Sequence, residues 1–378
     1  MSAQAGPTRV AIIGAGNVSD EYLRALTAYP DLTVTAIGDL DPARARAQAE
    51  KYGIAASGTA PEVLAREDVD LVVNITIPAA HAEVALAAIE AGKHVWGEKP
   101  LTLDRASARA VLDAAEARGV VVGNAPDTIL GPGIQTSQRL LAEGAIGEAR
   151  TVLTLMQGPG PDVWHPRPQF LFAKGAGPLF DIGPYYVSTL VQLLGPVASV
   201  TAVGQTPRAE RIVGSGPDAG SRFPVEVSTH VSVVTAFASG VVGTSVYSFD
   251  SPVHRQLFEV SGSEGTMEVP VSGFDGPTRL LNGTDPDTPW RSVPAAGPLS
   301  GRGVGVLEMA RAIRAGERPR ASGELAYHVL DVMLSIEESV ASGAPVRIGS
   351  SAPPVPPVPK DWDPAARTFA DPAETENR

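Results

Sequence analysis

Lys99, in the string Gly97-Glu98-Lys99-Pro100, is the residue best suited to move a proton. The chain has five lysines (Lys51, Lys93, Lys99, Lys174 and Lys360), and its other strong bases are arginines. Arginine stays charged at physiological pH, whereas a buried lysine can release its proton, so of the two only lysine can act as a general base. The alternative for a Lys-Pro pair is a surface charge ahead of a loop proline, and the setting of Lys99 decides between the two.

That setting begins upstream. Gly14-Ala15-Gly16-Asn17-Val18-Ser19 is a Gly-x-Gly-x-x-Gly pattern with Ser19 in place of the third glycine. The first glycine permits a tight turn, and the second lets the backbone approach a pyrophosphate at a helix N-terminus. Gly14, Gly16, Asn17 and Val18 are therefore the expected nucleotide loop, provided that a strand precedes and a helix follows. Asp39 ends the next strand, where a carboxylate accepts hydrogen bonds from ribose hydroxyls and repels the extra phosphate of NADP. NAD is thus the expected cofactor; Arg44 and Arg46 offset part of that repulsion. The other reading of Asp39 is a solvated turn ahead of Asp41-Pro42.

Further candidates follow the next strands. Thr76 and Pro78 end a strand on the ligand side, with His81 just beyond. His81 is either near the cofactor or a helix-starting residue without chemistry. Asp127-Thr128 follow the last strand and are expected at the cleft. In Trp164-His165-Pro166-Arg167-Pro168, Trp164 offers a stacking face, while His165 and Arg167 offer donors to a sugar or an anionic group. Alternatively Trp164 packs on the domain below and Arg167 faces solvent. No Asp, Glu and His cluster has metal-ligand spacing, so no metal is expected, and no Gly-x-Ser-x-Gly elbow occurs.

The elements that must position these residues alternate. Apolar runs over residues 9–13, 32–37, 69–77, 94–96 and 120–122 read as buried strands. Helical spacing covers residues 20–28, 42–52, 81–91 and 104–118, with Gly92 as a C-terminal stop. Alternation of this kind predicts an α/β, doubly wound parallel sheet over residues 1–125. Residues 126–350 read as an α+β domain. Helices are expected over 134–143 and 184–194, and a strand over 149–157. Extended segments follow over 227–237, 241–249 and 256–261, with Ser239-Gly240 turning a hairpin. Two helices, 304–315 and 324–342, are expected to close this domain, and His328 and Asp331 on the second to be structural. Residues 351–378, rich in proline and charge, read as an extended or disordered tail.

Composition bounds the partners. The 378 residues suffice for two domains, and 43% hydrophobic with 19% charged residues suits a globular chain. A net charge of −12 argues against a nucleic-acid backbone as partner. Absence of cysteine excludes disulfides, thiolate catalysis and cysteine-based metal sites. Residues 1–7 lack a signal-peptide pattern, and no apolar run approaches the roughly 20 residues of a membrane span. No membrane partner is expected, and the expected location is cytoplasmic.

Several strings together resemble the Gfo/Idh/MocA oxidoreductases, a family that includes glucose–fructose oxidoreductase and inositol dehydrogenase. They are the glycine fingerprint, Ile77-Pro78-Ala79-Ala80-His81, the stretch from Glu90-Ala91-Gly92-Lys93 to Glu98-Lys99-Pro100-Leu101, and Gly177-Pro178-Leu179-Phe180-Asp181-Ile182-Gly183-Pro184-Tyr185-Tyr186. The resemblance implies an N-terminal Rossmann domain, a C-terminal domain with a large, open, mostly antiparallel sheet, bound nicotinamide cofactor and a homodimer or homotetramer. It implies that Glu98 and Lys99 lie at the cofactor, with Lys99 beside the reacting hydroxyl and Asp181 near a carbohydrate or cyclitol. The family pattern Asp-x-Gly-x-His is met here by Asp181-Ile182-Gly183-Pro184-Tyr185, which places Tyr185 in the tyrosine-containing branch. Tyr185 either relays the proton, helped by a nearby cation, or with Tyr186 caps the sugar pocket. The expected reaction is oxidation of a sugar CH–OH. The alternative is a glycosidase that keeps NAD bound and oxidises its sugar transiently.

Overall fold

The structure, a computed structural model, describes residues 6–271, 273–283, 287–298 and 300–369. The expectations for the first five residues and for 370–378 lie outside those. Two compact units are present: Met1–Gly131 with Gly297–Tyr327 and Val358–Arg378, and Pro132–Ala296 with His328–Pro357.

The first unit opens with the strand–helix alternation: β1 (Thr8–Ile13), α1 (Ser19–Leu26), β2 (Leu32–Gly38), α2 (Pro42–Tyr52), β3 (Ala56–Gly58), α3 (Ala60–Leu64), β4 (Leu71–Asn74), α4 (His81–Glu90), β5 (His94–Gly97), α5 (Arg105–Arg118) and β6 (Val122–Asn124). All strands are parallel, in the order β3-β2-β1-β4-β5-β6. This is the doubly wound arrangement, with its switch between β1 and β4. Two expected boundaries move: the strand expected over 69–77 is four residues long, and that over 120–122 becomes β6. The short pair β3 and α3 carried too little periodicity to be seen in the sequence. Sharp helix starts come from side chains: Asp41 accepts the Ala43 N–H at α2, and Asp104 accepts the Ser107 N–H at α5.

The second unit holds α6 (Pro132–Ala142), β7 (Ala149–Gln157), α7 (Gly177–Asp181), α8 (Gly183–Leu194), β8 (Val197–Gln205), β9 (Glu210–Ile212), β10 (Arg222–Pro224), β11 (His230–Phe237), β12 (Val242–Ser248), β13 (Arg255–Gly262), β14 (Gly265–Glu268), β15 (Thr278–Asn282) and β16 (Arg291–Val293). After these come α9 (Val304–Ala315), α10 (Gly323–Ser342) and β17 (Val346–Arg347). Nine strands form one sheet, β16-β15-β14-β13-β7-β12-β11-β8-β17, antiparallel except where β7 runs beside β12. A separate ribbon pairs β9 with β10. The β11–β12 hairpin turns at Gly240, whose φ of 90° requires glycine.

Alternation along the strands sorts the nine-stranded sheet into two faces. Val200, Thr235, Val152 and Val260 lie on one, with Phe258 and Val233 beside them, all buried. Val203, Val234, Val242 and Leu153 lie on the other and are exposed. His328 on α10 accepts the Val197 N–H and meets the Ser350 hydroxyl, and Asp331 accepts the Ser350 N–H. Both residues therefore anchor the chain after α10 and serve structure.

Two expectations are corrected. The helix over 304–315, expected to close the second domain, belongs to the first unit. Its Gly305 lies against the fully buried Trp96 of β5; a Cβ there would stand 2.0 Å from the indole. The tail is extended but ordered over residues 358–369. The buried carboxylate of Asp31 accepts the Thr368 N–H and hydroxyl, and Arg311 of α9 donates to the Asp363 and Ala366 carbonyls. Burial pushes the Asp31 carboxyl up, but Thr368 and Arg311 outweigh it and hold the group below its ordinary value. These are long-range polar contacts, which composition cannot announce.

In an exposed helix Gly→Ala gains up to about 1 kcal/mol. At Gly305 the sign reverses: Gly305→Ala is expected to cost about 1–3 kcal/mol through the clash with Trp96. Denaturant midpoints measure this, and a stabilised variant would contradict the packing.

Candidate active site

In the first unit the loops after β1, β2, β4, β5 and β6 leave the carboxyl ends of the parallel strands, where such sheets bind ligands. Gly14 has φ of 113°, and a Cβ on it would stand 2.7 Å from the Ile75 carbonyl oxygen. Only glycine fits there. A Cβ on Gly16 would meet nothing within 4 Å, so the backbone beside Asn17 and Val18 is open to a ligand. Ser19, at the third glycine position, is buried, and its hydroxyl donates to the Gly16 carbonyl. The substitution thus closes the same turn by a hydrogen bond. This cradle fits a dinucleotide pyrophosphate.

Asp39 is half-buried. One carboxylate oxygen accepts the Ala15 N–H at 2.7 Å and the other the Asp41 N–H at 2.9 Å. It ties the nucleotide loop to the end of β2 and keeps lone pairs for ribose hydroxyls. Leu40 beside it is 98% exposed, and Ile77 after β4 is 69% exposed. Sequence reasoning passed over both, because a lone aliphatic residue in a loop carries no signal until its exposure is known.

Thr76 donates its hydroxyl to Asn74 Oδ1 at 2.7 Å, and Pro78 is exposed. His81 is the first residue of α4, which agrees with its helix-starting reading. The ring is buried, Nδ1 lies 2.7 Å from the Pro100 carbonyl oxygen and Nε2 lies 3.1 Å from that of Thr76. With both nitrogens on backbone oxygens, His81 braces the loop after β4 against the loop that carries Lys99.

Glu98 is likewise turned inward. One oxygen accepts the Tyr22 hydroxyl at 2.9 Å and Arg302 at 3.3 Å, and the other accepts the Lys99 N–H at 3.0 Å. Through that N–H it holds the backbone of Lys99, which is half-buried.

Asp127 is corrected too. Expected at the cleft, it is 3% exposed and accepts the Gly303 N–H at 2.7 Å and, longer, the Gly305 N–H at 3.4 Å. A carboxylate there satisfies the free amides at the start of α9 and their dipole. Burial, then the neighbouring Glu98 charge, pushes its carboxyl up to about 7. Burial and the same two carboxylates also push the Tyr22 hydroxyl well up.

In the second unit Asp181 ends α7 and Tyr185 lies in the first turn of α8; both are half-buried. A cavity of about 450 Å³ brings Asp181 together with Trp164, which is 64% exposed, and is walled by residues 158–161 and Phe249. His254 and Arg255 line it as well. They were missed because a His-Arg pair before a strand looks like solvated surface. His165 and Arg167 are not among the lining residues; Arg167 is exposed, and its N–H donates to His165 Nδ1. Trp164 is thus exposed at the cavity rather than packed away, and Arg167 faces solvent. Tyr186, expected to cap the sugar pocket, is core: it stacks on Phe258 and meets Tyr247 edge-on, and its hydroxyl donates to the Leu155 carbonyl. Burial pushes that hydroxyl well up, and Tyr185 is the half-buried member of the pair. Among the described residues no group of three His, Cys, Asp or Glu could hold a metal ion. None of the described helices is long and apolar enough to cross a membrane.

A Gly-rich loop on a doubly wound sheet, followed by a second unit built on a large open sheet, defines a nicotinamide-dependent oxidoreductase of the two-domain kind. Residues 8–125 match the oxidoreductase family with NAD-binding Rossmann fold, and residues 134–268 match the GFO/IDH/MocA C-terminal domain. The chain belongs to the Gfo/Idh/MocA family and carries its NAD-binding domain. It is 30% identical to dTDP-3,4-didehydro-2,6-dideoxy-alpha-D-glucose 3-reductase of Streptomyces antibioticus over 69% of this chain and 75% of that protein. It is also 30% identical to levoglucosan dehydrogenase of Pseudarthrobacter phenanthrenivorans, over 68% of this chain and 72% of that protein. A solved NAD binding oxidoreductase from Klebsiella pneumoniae superposes with a TM-score of 0.81 at 26% identity, covering 92% of this chain and all of that one.

The raised Asp127 group sets a pH dependence. Its carboxyl keeps a proton in the fold up to about pH 7, whereas the unfolded chain loses it near the ordinary value of 3.8. Between those values the folded state binds more protons, so this contribution to stability falls as pH rises. Asp127→Asn, which retains an oxygen for the Gly303 N–H, is expected to flatten the stability profile between pH 4 and 7, roughly the window set by the two pKa values. Chemical denaturation across pH measures it, and an unaltered slope would contradict the assignment.

Proposed function

We propose that this protein is an NAD-dependent dehydrogenase that oxidises a ring CH–OH of a sugar or sugar derivative. The observation that carries the reading is the inward-turned Glu98, which fixes Lys99 at the carboxyl end of β5, two strands along the sheet from β1 and its Gly14–Gly16 cradle. The names of the relatives, a sugar-nucleotide 3-reductase and a levoglucosan dehydrogenase, support carbohydrate as the substrate class. Those names also favour net oxidation or reduction over the glycosidase reading.

Bound NAD supplies a hydride acceptor. Gly14, Gly16, Asn17 and Val18 leave room for its pyrophosphate, Asp39 receives the ribose hydroxyls and disfavours NADP, and Thr76 and Pro78 border the nicotinamide side. Leu40 and Ile77 offer apolar faces to its flat rings. The substrate C–H leaves with its electron pair, the hydroxyl proton passes to the Lys99 amine, and the C–O bond becomes a carbonyl. Asp181 holds a neighbouring hydroxyl, Trp164 stacks on the sugar face, and Tyr185 orients the reacting oxygen or relays its proton.

Lys99→Met should therefore cut NADH formation from levoglucosan or D-xylose by about 10²–10⁴-fold. NADH binding, followed by fluorescence, should stay near that of the wild type. Undiminished turnover would sink the role of Lys99.

A homodimer or homotetramer in the cytoplasm completes the proposal. Val203, Val234, Val242 and Leu153 give the second unit's sheet an exposed aliphatic face suited to a second copy. Val234→Lys, at the middle of that face, should yield monomers in sedimentation experiments. An oligomer of unchanged size would exclude this face.

A further inference from the structure

We infer that the β9–β10 ribbon, through Arg211, fixes the wall of the cavity that holds Asp181 and Trp164, which makes Arg211 a positioning residue for substrate. The inference rests on the reading of that cavity as the sugar site.

Arg211 is 2% exposed and lies on β9, away from the nine-stranded sheet's own ladder. Its Nη1 donates to the Pro159 carbonyl at 3.1 Å and to Asp162 at 3.1 Å. Its Nη2 donates to the Phe249 carbonyl at 3.0 Å and to Asp250 at 2.6 Å. Pro159 and Phe249 are both wall residues of the cavity. One planar fork therefore clamps two wall segments that are about ninety residues apart in sequence, using both carbonyl and carboxylate acceptors. The Phe172 ring lies 5.2 Å from the guanidinium and helps exclude water from it.

The loop is shaped for this clamp. Gly160 has φ of 100°, and a Cβ on it would stand 2.5 Å from Asp162 Oδ1 and 3.2 Å from Arg211 Nη1. Beyond Arg211 the same ribbon reaches the aromatic platform. The Gly214 N–H donates to the Asp162 carbonyl at 2.8 Å, and the Ser215 hydroxyl donates to the Trp164 carbonyl at 2.6 Å. A point charge on a lysine cannot reproduce the two-armed bond, and loss of the guanidinium leaves the buried Asp162 and the half-buried Asp250 without their partner.

The test compares full-length Arg211→Lys and the milder Ser215→Ala with wild type by hydrogen exchange and by kinetics on levoglucosan with NAD. Arg211→Lys is expected to speed exchange about tenfold or more in residues 158–168 and 249–255, with the Rossmann peptides unchanged. It should also raise the levoglucosan KM by about tenfold or more while kcat and the NAD KM stay within roughly threefold. Ser215→Ala should show smaller changes of the same sign, confined to residues around Trp164. Exchange that is unchanged, or that rises throughout the second unit, overturns the inference, as does an unaltered sugar KM. If wild-type protein oxidises no levoglucosan, the dehydrogenase reading is what has failed for that sugar, and the exchange comparison still decides the role of Arg211.

Discussion

A single buried carboxylate, Glu98, is the constraint on which the first unit's chemistry depends. It receives the Tyr22 hydroxyl from α1, the Arg302 guanidinium from the segment before α9, and the N–H of Lys99 next to it. Burial of such a group is costly unless its lone pairs are filled, and these three donors fill them. The requirement explains why the chain returns to the first unit some two hundred residues later. Arg302 brings the cation, and α9 brings amides that Asp127 can cap. Burial, then the neighbouring Glu98 charge, raises the Asp127 carboxyl against the pull of Arg302, so Asp127 keeps its proton up to about pH 7. Lys99 is therefore positioned by its neighbour's electrostatics and by the brace that His81 makes to Pro100.

The second unit solves a different problem with one sheet. Its covered face builds a core from Val152, Val233, Phe258 and their neighbours, and Tyr186 joins that core. The C-terminal end of β7 and the loops beyond it leave the cavity in which Asp181 and Trp164 meet. Prolines in that wall reduce the entropy lost on binding, and the guanidinium of Arg211 supplies the buried anchor that a loop without ladder bonds lacks.

The doubly wound parallel sheet of the first unit was legible because apolar runs and helical spacing alternate there, and because Gly14 and Gly16 follow a strand directly. The second unit's sheet was legible in its long hairpin, yet its short strands β14 to β16 were not, since three to five residues carry no period. Types of residue also singled out Asp39, which ties the Gly14–Gly16 loop to β2, and Asp181 and Trp164, which line one cavity. They misled at Asp127 and Tyr186 for one shared reason: sequence position put each beside a ligand loop, but only packing decides which way a side chain turns. The return of α9 and residues 358–369 to the first unit rests on Asp31 with Arg311 and Thr368, pairs separated by hundreds of residues. Such pairs leave no local pattern.

The central claim is that hydride leaves the sugar and stays on the cofactor. Levoglucosan carrying deuterium at its ring carbons, incubated with NAD and the protein, tests it by mass spectrometry of the cofactor and sugar. The account predicts one deuterium in the reduced cofactor for each ketone formed. Deuterium returned to the sugar, with no net reduced cofactor, would contradict it and point to transient oxidation instead.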